Sequence, residues 1–147
     1  MATYQNPQIV WAGNAVFVTA SDNNGNVDYW WQGSGTGVWH QQTVATPGNG
    51  LTSYQHPAMV WTGNAVLITA TDNSGGVDYW WQGKGSGVWN PQLVAFGGGP
   101  VTYQSQAMVW TGNAVLVTAG DNLGGVDYWW QGAGSGIWHP QLVAGGV

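Results

Sequence analysis

The sequence predicts an all-β fold assembled from three copies of one four-stranded unit. Three observations carry that reading. The chain repeats itself at a spacing of 50 and then 49 residues: Tyr4, Tyr54 and Tyr103 open equivalent units, and Trp11, Trp61 and Trp110 keep the same intervals. Its apolar runs are rich in Val, Ile, Thr, Trp and Tyr and are separated by clusters of Gly, Asn and Asp, the residues that strands and tight turns select. No window keeps an apolar period of about 3.6 residues, and Gly interrupts every run, so helices are not expected.

In the middle unit the strands are expected over Ala58–Trp61, Ala65–Thr71, Val77–Gln82 and Val88–Ala95. Turns lie at Thr62-Gly63-Asn64, at Asp72 to Gly76 and at Gly83 to Gly87. Val66, Leu67 and Ile68 are consecutive apolar residues, which implies a strand buried on both faces. Four strands in about 45–50 residues, covered on both faces by neighbouring units, describe the blade of a β-propeller. A β-trefoil also has four strands per unit, but its units are usually shorter. The chain is read as a single domain, 1–147, with blades at 4–53, 54–102 and 103–147. Between residues 54–95 and 103–144, 34 of 42 positions are identical. Known propellers close with roughly four to eight blades. Three blades would leave two apolar faces open, which soluble monomers avoid. An obligate homodimer, joined head to tail into a ring of six blades, is therefore expected.

Composition bounds the partners. Only 5% of residues are charged, there is no Arg and no Glu, and Lys84 is the only base in a chain of net charge −5. Phosphate binding needs clustered cations, so neither nucleic acid nor an anionic membrane is an expected partner. With no Cys, disulfides and thiolate metal sites are excluded. The N-terminal residues lack a signal-peptide pattern, and no segment approaches the roughly 20 apolar residues of a membrane helix. The expectation is a soluble protein made in the cytoplasm without a cleaved signal, any release following a route the sequence does not show. No cofactor is expected. Neutral polar partners fit best.

The segment WTGNAVLITATDNSGGVDYWWQGKGSGVWNPQLVA, residues 61–95, resembles the bacterial β-propeller lectins of the Photorhabdus lectin type. The resemblance recurs once per repeat and covers nearly the whole chain. It implies binding of fucosylated or O-methylated glycans at several sites between blades. Members of that type carry seven blades in one chain, so the number of sites here is open. The Arg and Glu that fungal propeller lectins use on fucose are absent, and that chemistry does not transfer.

A neutral sugar offers hydroxyls and one apolar C–H face, and binding it takes side chains that donate and accept hydrogen bonds beside an aromatic plate. Strand alternation places Asp78, Trp80 and Gln82 on one face of VDYWWQG and Val77, Tyr79 and Trp81 on the other. Asp78 and Gln82 stand roughly 13 Å apart at strand rise, too far for one monosaccharide. They mark two rims. The first-rim candidates are Asp22, Asn23, Asp28 and Trp30, with Asp72, Asn73, Asp78 and Trp80, and Asp121, Asn122, Asp127 and Trp129 as their equivalents. Opposed carboxylates need donors, which turn amides, sugar hydroxyls or a cation such as calcium would supply. The carboxylates are too few for a metal to be assigned. The second-rim candidates are Gln32, Trp39 and His40, then Gln82, Trp89 and Asn90, then Gln131, Trp138 and His139, beside glycine loops that bare the backbone. Trp89 packed between blades is the competing reading. Tyr79, Trp81 and Trp61 are expected in the core.

The function expected is that of a multivalent lectin. The alternative is a symmetric propeller scaffold, structural or engineered, without a ligand. An enzyme is the weakest class. There is no Cys or Glu, the His residues do not occupy one position in all copies, and tripled acid pairs suit repeated binding better than one active centre.

Overall fold

The computed structural model describes residues 1–48 and 50–146. Asn49 and Val147, which the sequence places in the first and third blades, lie outside the described residues. Twelve strands run in chain order: β1 (Tyr4–Trp11), β2 (Ala15–Asp22), β3 (Val27–Gly33) and β4 (His40–Ala45); β5 (Tyr54–Trp61), β6 (Ala65–Asp72), β7 (Val77–Gly83) and β8 (Asn90–Ala95); β9 (Tyr103–Trp110), β10 (Ala114–Asp121), β11 (Val126–Gly132) and β12 (His139–Ala144). Each set of four forms one antiparallel sheet in sequential order, giving three β-propeller blades. A three-bladed chain fits half of a six-bladed ring.

Four strand limits differ from the sequence reading: β6 and β7 each end one residue later, at Asp72 and Gly83, and two starts move for local reasons. The first strand starts at Tyr54 rather than Ala58, because Tyr54 pairs with Asp72 and Gln55 with Thr71 before a bulge resets the register at Ala58 and Thr69. His56 takes a positive φ of 53° there, so Pro57 sits in the bulge and costs the ladder no donor. The fourth strand starts at Asn90 rather than Val88. Val88 N–H is held by Ser86 Oγ at 3.2 Å, inside the glycine turn.

The core lies between blades. Blade 1 contributes Val27, Tyr29 and Val44 to the first junction, and blade 2 contributes Met59, Val66, Ile68 and Trp80. The opposite face of blade 2, with Leu67, Val77, Tyr79 and Val94, packs on Val115, Val117 and Trp129 of blade 3. The apolar run Val66-Leu67-Ile68 is thus divided between two junctions and buried throughout, as a strand covered on both faces requires. Aromatic rings meet edge to face across each junction, Tyr29 on Trp89 and Tyr79 on Trp138, both with centroids 5.2 Å apart.

Neighbouring blades are also joined at one rim. Gly25 accepts from Tyr54 N–H at 2.9 Å, and Gly75 accepts from Tyr103 N–H at 2.7 Å. Each hairpin thereby fastens onto the start of the next blade.

Candidate functional site

Each rim of the blade carries a different kind of hollow. The β6–β7 hairpin of the first rim shows how the Asp candidates are used. Asp72 Oδ1 accepts from Ser74 N–H at 2.9 Å, Ser74 Oγ at 2.6 Å and Gly76 N–H at 3.0 Å. Asp22 is satisfied in the same way by Asn24 and Asn26, and Asp121 by Leu123 and Gly125. Asn73 Oδ1 accepts from Thr52 and Ser53 N–H, while Asn23 and Asn122 bind Thr3 and Thr102 N–H. These side chains fasten the turn to the segment that leads into the same blade.

Asp78 lies beside Asp72 within reach of a shared proton, and its Oδ2 is buried without a partner, as are Oδ2 of Asp28 and Asp127. Burial, then the hydrogen bond and negative charge of Asp72, push the Asp78 carboxyl up to about 8. Burial and the paired acid push Asp28 and Asp127 up to about 6. Burial also opposes ionisation of Asp72, but the hydrogen bonds from Asp78, Ser74 and Gly76 outweigh it and hold the group below its usual range. At neutral pH the β6–β7 hairpin therefore keeps Asp72 ionised and Asp78 protonated, whereas Asp28 and Asp127 give up their protons near 6. Polar hollows of ≈ 410 Å³ lie beside the Asp22 and Asp72 turns, with Tyr54 and Tyr103 as their respective aromatic linings. Asp78 and Trp80 border a further hollow of ≈ 400 Å³ beside Tyr54 and Leu51. No group of three or more metal-ligating side chains forms among the described residues.

Trp80, considered as a sugar plate, is only 5% exposed and packs edge to face on Tyr54 with centroids 4.9 Å apart. Trp129 is buried the same way against Tyr103, and Trp30 meets Tyr4 on the outer face of blade 1. Trp81, expected in the core, is 41% exposed. Alternation does put it on the Tyr79 side of β7, but near the rim, where the gap between blades widens into a cleft.

That cleft recurs at both junctions. Between blades 1 and 2 it measures ≈ 640 Å³ and sets Trp31 of β3 with Trp61 of β5, beside His40, Gln42, Gln82 and Lys84. Between blades 2 and 3 it measures ≈ 560 Å³ and sets Trp81 with Trp110, beside Asn64, Gln92 and Gln131. Neither cleft is lined by an acid. Gln42 fixes the first geometry: its Oε1 accepts from Gln82 Nε2 and from Trp89 Nε1, both at 3.0 Å, and its Nε2 donates to Gly87 O at 2.8 Å. Gln92 repeats this with Gln131 at 3.0 Å, Trp138 at 3.1 Å and Gly136 O at 2.6 Å. Trp89 and Trp138 are thus half-buried clamps rather than free plates. Asn90 donates to Trp81 O at 3.2 Å, and His40 and His139 stack on Trp31 and Trp130 at 4.0 and 4.2 Å. Gln32 and Trp39 sit at the same position of blade 1, where no preceding blade meets them. The sequence reading missed Gln42 and Gln92. Their signal was present, since Gln42, Gln92 and Gln141 are unchanged in all three copies.

No family model and no curated protein sequence matches the chain. Solved structures do. It is similar to the BP39L lectin of Burkholderia pseudomallei, at 21% identity and TM-score 0.66, covering 97% of this chain and 41% of that one. It is similar to the SapL1 lectin, solved with α-methyl fucoside, at 12% identity and TM-score 0.67, covering 92% and 45%. It is also similar to an α-L-arabinofuranosidase of Podospora anserina, at 11% identity and TM-score 0.64, covering 97% and 51%. The chain therefore spans about two-fifths to one-half of the length of these three proteins. At these identities the likeness shows a shared fold, and that fold serves sugar-binding proteins and glycosidases alike. No helix of the structure is long and apolar enough to cross a membrane.

Proposed function

We propose that the chain is a lectin that takes neutral sugars in the second-rim clefts between blades. One observation carries the reading: each cleft sets a tryptophan from one blade near a tryptophan from the next, beside amides and bare glycine backbone. Indole faces suit the C–H face of a pyranose, and amides suit its hydroxyls. The Gln42 clamp uses Nε2 of Gln82 and leaves Gln82 Oε1 for an incoming hydroxyl. Apolar walls favour sugars that carry extra methyl groups. That supports fucose or O-methylated sugars as ligands, which the resemblance to the Photorhabdus lectin type also implies. Two such sites within the chain make binding multivalent, and a second copy completing the ring adds to them.

Binding is preferred to hydrolysis on the placement of the acids. A glycosidase needs two carboxyl groups flanking the scissile bond, about 5–10 Å apart. Here the acid pairs are bonded to each other and to turn amides at the opposite rim, away from the tryptophan-walled clefts.

A glycan array of the intact protein is the test. Selective signal on fucosylated or O-methylated sugars, lost in Trp31→Ala/Trp81→Ala/Trp130→Ala, which changes the equivalent tryptophan of all three blades, with the circular dichroism unchanged, is expected. Silence across those sugars would favour a scaffold without a ligand. Signal that survives the triple substitution would move the site away from these clefts.

A further inference from the structure

The three blades present two end faces with no neighbour, and each is the counterpart of a face buried inside the chain. On the outer face of blade 1, Ile9 is 69% exposed, whereas its equivalent Met59 is 7% exposed at the first junction. On the outer face of blade 3, Val143 is 63% exposed, whereas its equivalent Val94 is 9% exposed at the second junction. The polar parts of the junction are unpaired in the same manner. Gln141 occupies the position of Gln42 and Gln92 but lacks their partners, while Gln32 and the exposed Trp39 occupy the positions of the donors Gln82 and Trp89.

We propose that a second copy of this chain covers both faces, and that Gln141 of each copy clamps Gln32 and Trp39 of the other. Gln141 Oε1 takes their two N–H groups, and its Nε2 reaches Gly37 O, as Gln42 does with Gly87 O. The contact is heterologous, so it closes only if the rotation per copy divides a full turn. Two copies satisfy this: the lectin chains that share the fold run a little over twice the length of this one. Closure also builds a third kind of cleft. Trp130 and Gln141 of one copy would stand opposite Trp11 and Gln32 of the other, in the positions of Trp81, Gln92, Trp110 and Gln131. With two clefts inside each chain and two at the seams, a closed pair holds six. That these clefts take sugar rests on the lectin reading; the closure itself does not.

Analytical ultracentrifugation of the intact chain tests the closure. The expected species has twice the chain mass of 15.6 kDa at micromolar concentration. Gln141→Ala should raise its dissociation constant at least about tenfold, since each seam loses hydrogen bonds worth about that factor. Gln92→Ala, the same change at an internal junction, should lower the melting temperature and leave that constant within about threefold. Val143→Asp, which charges an exposed residue, should give a folded monomer by circular dichroism. A folded wild-type monomer, a trimer, an open polymer, or a Gln141→Ala protein as tightly paired as wild type overturns the proposal. Calorimetry with α-methyl fucoside should then find three sites per chain in the wild type and two in Val143→Asp. No sugar heat with pairing intact would overturn the lectin reading and leave the closure standing.

Discussion

Adjacent tryptophans in VDYWWQG do opposite work. Trp80 fills a junction, and truncating it removes a large buried ring, so Trp80→Ala is expected to cost about 3–5 kcal/mol and to be seen in urea unfolding. Trp81 stands in a cleft, and Trp81→Ala is expected to cost far less stability while weakening sugar binding, measured by titration calorimetry. Equal destabilisation by the two changes would mean that Trp81 is packed after all. The acid of the same heptapeptide governs pH dependence. Asp78 ionises near 3.8 once unfolded but holds its proton to about 8 in the native hairpin. Its stabilisation is complete below pH 3.8 and is lost as pH rises through about 8. Asp72, held below its usual value, acts in reverse: its stabilisation is present above 3.8 and is lost as pH falls through its lowered value. The melting temperature should therefore decline between about pH 4 and 8, and Asp78→Asn, which keeps a donor towards Asp72, should flatten that decline. An undiminished slope in the variant would place the titrating group elsewhere. The heptapeptide's face assignments were legible from alternation alone. Depth was not, because it depends on how far a position lies from the rim, and that is set by how neighbouring blades pack.

At the scale of the element, the hairpin turn is the unit that locks one blade to the next. Gly75 sits at φ +86°, and a Cβ there would come within 2.4 Å of Thr102 Cβ. Gly75→Ala should thus lose about 1–2 kcal/mol to backbone strain alone, plus the cost of moving the linker, read from the urea midpoint. An unchanged midpoint would show that the linker yields freely. Gly85, with a similar φ of +73° but open space around it, should tolerate Ala with only the strain term. Strand order, turns and the double-sided burial of β6 could be read from repeats and composition. The early start of β5 could not, since a strand that carries Pro57 depends on the bulge at His56, which nothing local in the sequence marks. The Gln42 clamp was half hidden: the repeats mark Gln42 as invariant where Gln41 gives way to Pro91 and Pro140, but the partners it joins lie some forty positions away.

For the whole molecule, stability is expected to be shared between copies. Dilution should lower the melting temperature, because unfolding would release two chains from one assembly, whereas a self-sufficient chain would melt at the same temperature at any concentration. The proposed seam would be built from amides, indoles and aliphatic side chains. The Gln clamp contains no ion pair, and the only base in the chain, Lys84, lies in the cleft between blades 1 and 2 rather than on an end face. Salt screens charges and leaves such contacts almost untouched. An assembly joined this way should hold as firmly in about 1 M sodium chloride as in dilute buffer, and sulfate should tighten it by strengthening apolar burial. Such a joint would be indifferent to ionic strength, and under the lectin reading the ring would stay closed in whatever water surrounds the sugars.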